Sequence, residues 1–174
     1  MSFCKHCVQG VRHEGTPEGK FETIGGIKTY VATPTGEYPK DKAILFLTDV
    51  FGPELNNNLV RLPPLFLPHL ILTLTLACVG FDRDRQLLAD DFAKNGFQVY
   101  LADLFDGDPV PAEGLSPGST FDIMKWFPTH GPNVTQPKVE ALITALKAQG
   151  VTRFGAVGYC YGGEHPDLSL SIVP

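Results

Sequence analysis

Residues 153–163, RFGAVGYCYGG, decide how this chain is read. Arg153 to Val157 is a short apolar run of strand character, and Gly158-Tyr159-Cys160-Tyr161-Gly162-Gly163 turns sharply away from it. A G-x-[nucleophile]-x-G turn holds its central side chain on a strand-to-helix corner, and its glycines keep a Cβ from blocking that corner. The central residue here is Cys160. The competing reading is a small buried cysteine in a glycine-rich turn, but the strand and the amphipathic helix before it agree with the corner.

That helix is predicted over Pro137 to Gln149, where Val139, Leu142, Ile143 and Leu146 recur at i, i+3, i+4 and i+7. Pro137 suits its first turn and Gly150 its stop. Arg85 to Asn95 (RQLLADDFAKN) has helix formers, Leu88 and Phe92 one turn apart, and Gly96 where a C-terminal cap belongs. Gln98 to Ala102 reads as a strand, and Ala43 to Leu47 (AILFL) as a buried parallel one, ended by the loop Thr48-Asp49-Val50-Phe51-Gly52-Pro53. Lys28 to Thr33 alternates polar and apolar residues like an edge strand. Asp103 to Thr120, rich in Gly, Pro and Asp, is too long for a plain connection and is a candidate functional or mobile loop. Strands alternating with helices imply right-handed crossovers and a mostly parallel sheet covered on both faces, the α/β class. Ligands collect at the carboxyl ends of such strands, where both the Asp49 loop and the Cys160 corner fall.

Over 174 residues, 43% hydrophobic and 19% charged content suits one globular domain. A net charge of −5 with scattered Lys and Arg offers no basic stripe, which argues against a nucleic acid partner. Met1 to Gly19 lacks an apolar h-region, so neither a secretory signal nor an anchor is expected, and the location is read as cytoplasmic. Cys4, Cys7, Cys78 and Cys160 are too few and too irregular for a disulfide framework and read as thiols. Cys4-Lys5-His6-Cys7 could supply three metal ligands, yet no second pair completes a tetrahedral site, so a flexible tail is expected and no metal. His130 reads as a surface histidine, with pocket lining as the alternative. Asn133-Val134-Thr135 reads as a chance glycosylation pattern, and Gly25-Gly26 as turn chemistry.

Leu62 to Phe81 (LPPLFLPHLILTLTLACVGF) carries no formal charge if His69 is neutral and is about as long as a membrane helix. Pro63, Pro64 and Pro68 break its first third, which argues against a span. The remaining readings are an unusual apolar insert and a retained intron, since joining Asn58 to Arg85 would restore a short strand-loop-helix connection. The expected layout is one partial domain over 1–174, with a tail at 1–20, an anomalous apolar insert at 59–84 and a divergent end at 164–174.

A cysteine attacks as thiolate, and a free pKa of about 8.5 leaves only a few per cent ionised at neutral pH. The N-terminus of a helix after Cys160 would favour the charged form. Addition to an ester carbonyl makes an oxyanion that needs donors already aimed at it. One would be the backbone N–H of Tyr161, and the second would come from the loop Asp49-Val50-Phe51-Gly52.

Thr48-Asp49-Val50-Phe51-Gly52 paired with Gly158-Tyr159-Cys160-Tyr161-Gly162-Gly163, with LLADDFAKNGFQVYLADLFDGD between them, resembles the dienelactone hydrolase family of α/β-hydrolases, above all its fungal branch. The likeness covers most of residues 1–58 and 85–163, including Cys4-x-x-Cys7 and the GTPEGK stretch. It implies an α/β-hydrolase-type sheet, incomplete at the C-terminus, that opens small ester or lactone substrates without a cofactor. It further implies Cys160 as nucleophile, Val50 and Tyr161 as backbone oxyanion donors, and Asp49 at the place of an acidic residue that meets the resting cysteine. Bacterial members carry glutamate there, and capping or bracing the loop is an equal alternative for Asp49. The family completes its triad with an aspartate and then a histidine after the nucleophile. Here His165 and Asp167 come in the reverse order with Pro166 between them and read as a solvated tail. Impaired hydrolysis is therefore expected, with a catalytically inactive fragment as the alternative and a membrane-associated protein as a third reading. Oligomeric state is left open.

Overall fold

Only Gly25 and Gly26 separate Lys20–Ile24 (β1) from Ile27–Ala32 (β2), and both adopt positive φ, 60° and 83°. Left-handed backbone at both positions is what a tight two-residue hairpin needs, and glycine reaches it without a Cβ penalty. The computed structural model describes residues 16–54, 85–115, 118–158 and 161–162. The stretches 1–20 and 59–84 of the expected layout lie wholly or mostly outside these residues, and 164–174 entirely so.

Three further strands, Lys42–Leu47 (β3), Gln98–Ala102 (β4) and Arg153–Gly158 (β5), complete a sheet of order β1-β2-β4-β3-β5. Strand β3 runs parallel to both β4 and β5, whereas β2 is antiparallel to β1 and β4. The sheet is thus mixed, parallel where β4, β3 and β5 meet, and flanked by helices Arg85–Lys94 (α1), Ile123–His130 (α2) and Pro132–Ala148 (α3). This is an α/β fold of the α/β-hydrolase type. The alternation over Lys28 to Thr33 suggests an edge, but β2 lies inside the sheet. Strand β1, not anticipated, folds back through the Gly25-Gly26 turn and takes the edge position itself.

Both faces are covered. On one, Ala89 and Ala93 of α1 join a cluster with Tyr30, Phe46, Val99 and Leu101. On the other, Val139, Leu142 and Leu146 of α3 join Val31, Leu45, Leu47 and Tyr100. Neighbouring residues of each strand serve opposite faces, as the period of two requires. Leu45, Phe46, Leu101, Leu142 and Leu146 are all fully buried.

Helix α1 ends as its sequence suggests, with Gly96 at φ 87° and its N–H on the Ala93 carbonyl at 2.9 Å. Helix α3 departs from expectation at its start. It begins at Pro132, five residues early, so Pro137 lies inside the helix rather than in its first turn. A proline at the first position needs no donor, and Gly131 takes the cap. Helix α2 was hidden by its proline content. Asp122 caps it by accepting the Met124 N–H at 3.1 Å, and it ends two residues past Pro128 at His130, with Gly131 at the C-cap.

Candidate active site

Leu47 at the end of β3 pairs with Gly158 at the end of β5. The loop after β3 and the turn after β5 therefore leave the sheet side by side at its carboxyl edge, as the fold class predicts for a ligand site. Gly162 shows how close they come: a Cβ built there would lie 2.3 Å from the Leu47 carbonyl oxygen. Any side chain would push the turn off β3, which gives this glycine of the 158–163 pattern a steric reason.

Asp49 and Val50 follow directly. Both are buried, at 7% and 5% exposure. One carboxylate oxygen of Asp49 accepts the Phe51 N–H at 2.9 Å, and the other pairs with the guanidinium of Arg85 at the start of α1. The Arg85 guanidinium also lies over the Phe51 ring, 5.9 Å from its centroid. Through these contacts Asp49 ties its own loop to the start of α1. Arg85 was not legible as its partner, because nothing local in the sequence joins residues 36 positions apart. The Val50 carbonyl accepts the Val110 N–H at 2.9 Å, while no acceptor meets the Val50 N–H among the described residues. The Thr48 hydroxyl beside them is fully buried and lacks a hydrogen-bond partner among the described residues.

Tyr161 is 5% exposed and turned inward. Its hydroxyl lies 2.7 Å from the His130 carbonyl and 2.8 Å from Thr135 Oγ1, and its ring meets Phe105 and Phe127 edge-on. Cys160 itself lies outside the described residues, as do Cys4, His6, Cys7, Cys78, His165, Asp167 and the stretch Leu62 to Phe81.

The long loop from Asp103 is ordered around one buried carboxylate. Asp103 accepts the N–H groups of Phe105 at 3.0 Å and Gly107 at 2.9 Å, so the chain turns tightly through Asp106 and Gly107 at φ 54° and 78°. Lys138 clamps the same turn from α3 through the Leu104 carbonyl and the Asp106 carboxylate, each at 2.7 Å. Between this loop and α2 opens a cleft of about 690 Å³, lined in part by Asp108, Phe121, Asp122, Lys125, Trp126 and His130. His130 is not a surface histidine: its side chain is 12% exposed and its ring stacks on Trp126 at 4.4 Å. Near the β3 loop, Lys28 pairs with Glu54, and that hydrogen bond holds the lysine pKa above its ordinary value. Among the described residues no cluster of three or more His, Cys, Asp or Glu could hold a metal ion, and no helix is long and apolar enough to cross a membrane.

A family model described as the dienelactone hydrolase family matches residues 71–168. Hydrolase pyvD of Aspergillus violaceofuscus is 38% identical over 164 residues, 91% of this chain and 53% of its own length. Hydrolase tropI of Talaromyces stipitatus is 31% identical over 91% of this chain and 54% of its own length. Dienlactone hydrolase 2 of Gibberella moniliformis is 30% identical over 95% and 61%. The chain thus spans between half and two thirds of the length of these relatives. No solved structure matches it.

Proposed function

Because the chain belongs to the dienelactone hydrolase family, we propose that it serves hydrolysis of small-molecule ester or lactone carbonyls, with Cys160 as nucleophile and the backbone N–H groups of Val50 and Tyr161 as oxyanion donors. The observation that carries this reading is the Leu47 to Gly158 pairing, which brings the Val50 loop and the turn containing Tyr161 to one edge of the sheet. The thiolate sulfur adds to the carbonyl carbon, and the electron pair of the broken π bond goes to oxygen. Two fixed N–H donors would stabilise that charge. Collapse expels the alkoxide and leaves an acyl thioester, which water then hydrolyses to return the thiol. Asp49, paired with Arg85, would hold the Val50 loop for this step. The chemistry calls for no cofactor and for a reduced thiol, in keeping with a cytoplasmic setting.

A second reading concerns turnover. The family resemblance puts an aspartate and then a histidine after the nucleophile, and past Gly163 this sequence has only His165 and Asp167 of those types. A protein of residues 1–174 alone would then acylate but release the acyl group slowly, with steady turnover roughly 10³-fold below an intact triad. The layout we propose remains one partial domain, with an apolar insert or retained intron over 59–84. Reading the transcript across Asn58 to Arg85 tests that layout, and absence of a shorter transcript would count against the intron.

Hydrolysis of p-nitrophenyl acetate tests the activity. We expect a rapid release of p-nitrophenol that scales with protein, then a slow steady phase, and loss of both in Cys160→Ala. Release unchanged in Cys160→Ala would refute the nucleophile assignment, and fast steady turnover without a burst would refute the slow-release reading.

A further inference from the structure

The Tyr161 hydroxyl lies 2.7 Å from the carbonyl of His130 and 2.8 Å from the hydroxyl of Thr135. Their proton roles follow from chemistry. A carbonyl can only accept, so Tyr161 gives its proton to His130, and the Thr135 hydroxyl donates to the Tyr161 oxygen at 2.8 Å in preference to the Gly131 carbonyl at 3.4 Å. His130 is the last residue of α2, whose final carbonyls have no partner within the helix, so the tyrosine closes that helix end. Thr135, in the first turns of α3, is fully buried.

Helix α2 is tied in turn to the segment that holds Val50. Trp126 Nε1 donates to the Asp108 carbonyl at 2.8 Å, and His130 Nε2 lies 3.4 Å from the Asp108 carboxylate. Two residues further on, the Val110 N–H meets the Val50 carbonyl at 2.9 Å. A continuous run of contacts therefore leads from Val50 through Val110, Asp108 and the Trp126–His130 stack to Tyr161. Gly162, seated against Leu47, holds the next residue of the turn directly on β3.

We propose that this run of contacts fixes the two oxyanion donors relative to one another, and that the Tyr161 side chain and Thr135 are positioning residues for the Tyr161 N–H. The inference rests on the reading of Val50 and Tyr161 as donors. Such donors act because they are aimed before charge develops, and small misplacements are costly. A peptide group on a turn has two soft torsions, and an anchored side chain removes their freedom at one end.

Two reactions of the same thiol in the full chain test this. Acetylation of Cys160 by p-nitrophenyl acetate passes through an oxyanion. Alkylation by iodoacetamide displaces iodide from a saturated carbon and makes none. The ratio of their rate constants, followed by mass spectrometry of the Cys160 peptide, reports the donors while cancelling changes in thiol ionisation or exposure. Tyr161→Phe and Thr135→Val should lower the ratio roughly tenfold or more, whereas Thr135→Ser, which keeps the hydroxyl, should stay within about twofold of the parent.

Tyr161→Phe decides the matter, because it removes one oxygen and retains the ring against Phe105 and Phe127. A parental ratio in that variant overturns the positioning role even if Thr135→Val fails to fold. If the unsubstituted chain itself shows no higher ratio than a small free thiol, the oxyanion reading fails and this inference falls with it. That result is read on the parent protein alone and is distinct from a failure of positioning.

Discussion

The guanidinium of Arg85, the first residue of α1, is paired with the carboxylate of Asp49, the second residue past β3, and both side chains are under one-tenth exposed. Helix α1 is thereby fastened to the loop that carries Val50. Removing one partner of a buried pair leaves the other charge uncompensated.

Arg85→Met should therefore destabilise the fold by about 3 kcal/mol, and Asp49→Asn by a similar amount. The double variant should cost less than the sum, because neither charge is stranded. Urea unfolding of all four proteins checks this, and strict additivity would refute the pairing as an energetic unit.

Gly162→Ala and Gly155→Ala should separate sharply. A Cβ at Gly162 meets backbone at 2.3 Å, so the turn or β3 must move, and a loss of about 3 kcal/mol or more is expected. At Gly155 the nearest atom is Ile44 Cγ1 at 3.8 Å, an ordinary contact, and the change should stay within about 0.5 kcal/mol. Similar losses at the two positions would contradict the packing of the turn on Leu47.

Thr48→Val should be neutral or stabilising by up to about 1 kcal/mol, since it replaces a buried hydroxyl that lacks a partner among the described residues. A clear loss of stability, measured by thermal unfolding, would mean that the hydroxyl is bonded.

Asp41 and Arg153 join the start of β3 to the start of β5, with Arg153 donating to the Asp41 carboxylate at 2.9 Å. That hydrogen bond holds the Asp41 carboxyl below its ordinary pKa. A depressed folded-state pKa contributes stability above the unfolded value, about 3.9, which disappears as pH falls through the folded value. The Tm difference between the parent and Asp41→Asn should thus be small but present at about pH 6 and vanish towards about pH 2. A difference that persists in acid would show that the carboxyl is not the cause.

Much of the architecture was legible locally. The buried run Ala43 to Leu47, the strand Gln98 to Ala102, helix α1 with its Gly96 stop and the strand leading to the turn at Gly158 each carry their own pattern of apolar residues. Helix α2 was not legible, because Pro128 and a start among polar loop residues mask its period. His130 looked superficial for the same reason, whereas the stack on Trp126 and the edge of the Phe105 ring cover it.

By itself the sequence determined β2 to β5, helix α1, most of helix α3 and which turn carries a cysteine, because hydrophobic period and glycine punctuation act over a few residues. It could not assign β2 to the interior, since an edge is decided by what pairs alongside, and here that is the β1 hairpin. Nor could it join Asp49 to Arg85 or Tyr161 to His130, separated by 36 and 31 positions. Those contacts exist because the start of α1 packs against the loop after β3 and the end of α2 against the turn after β5, where side-chain length and burial choose the partners.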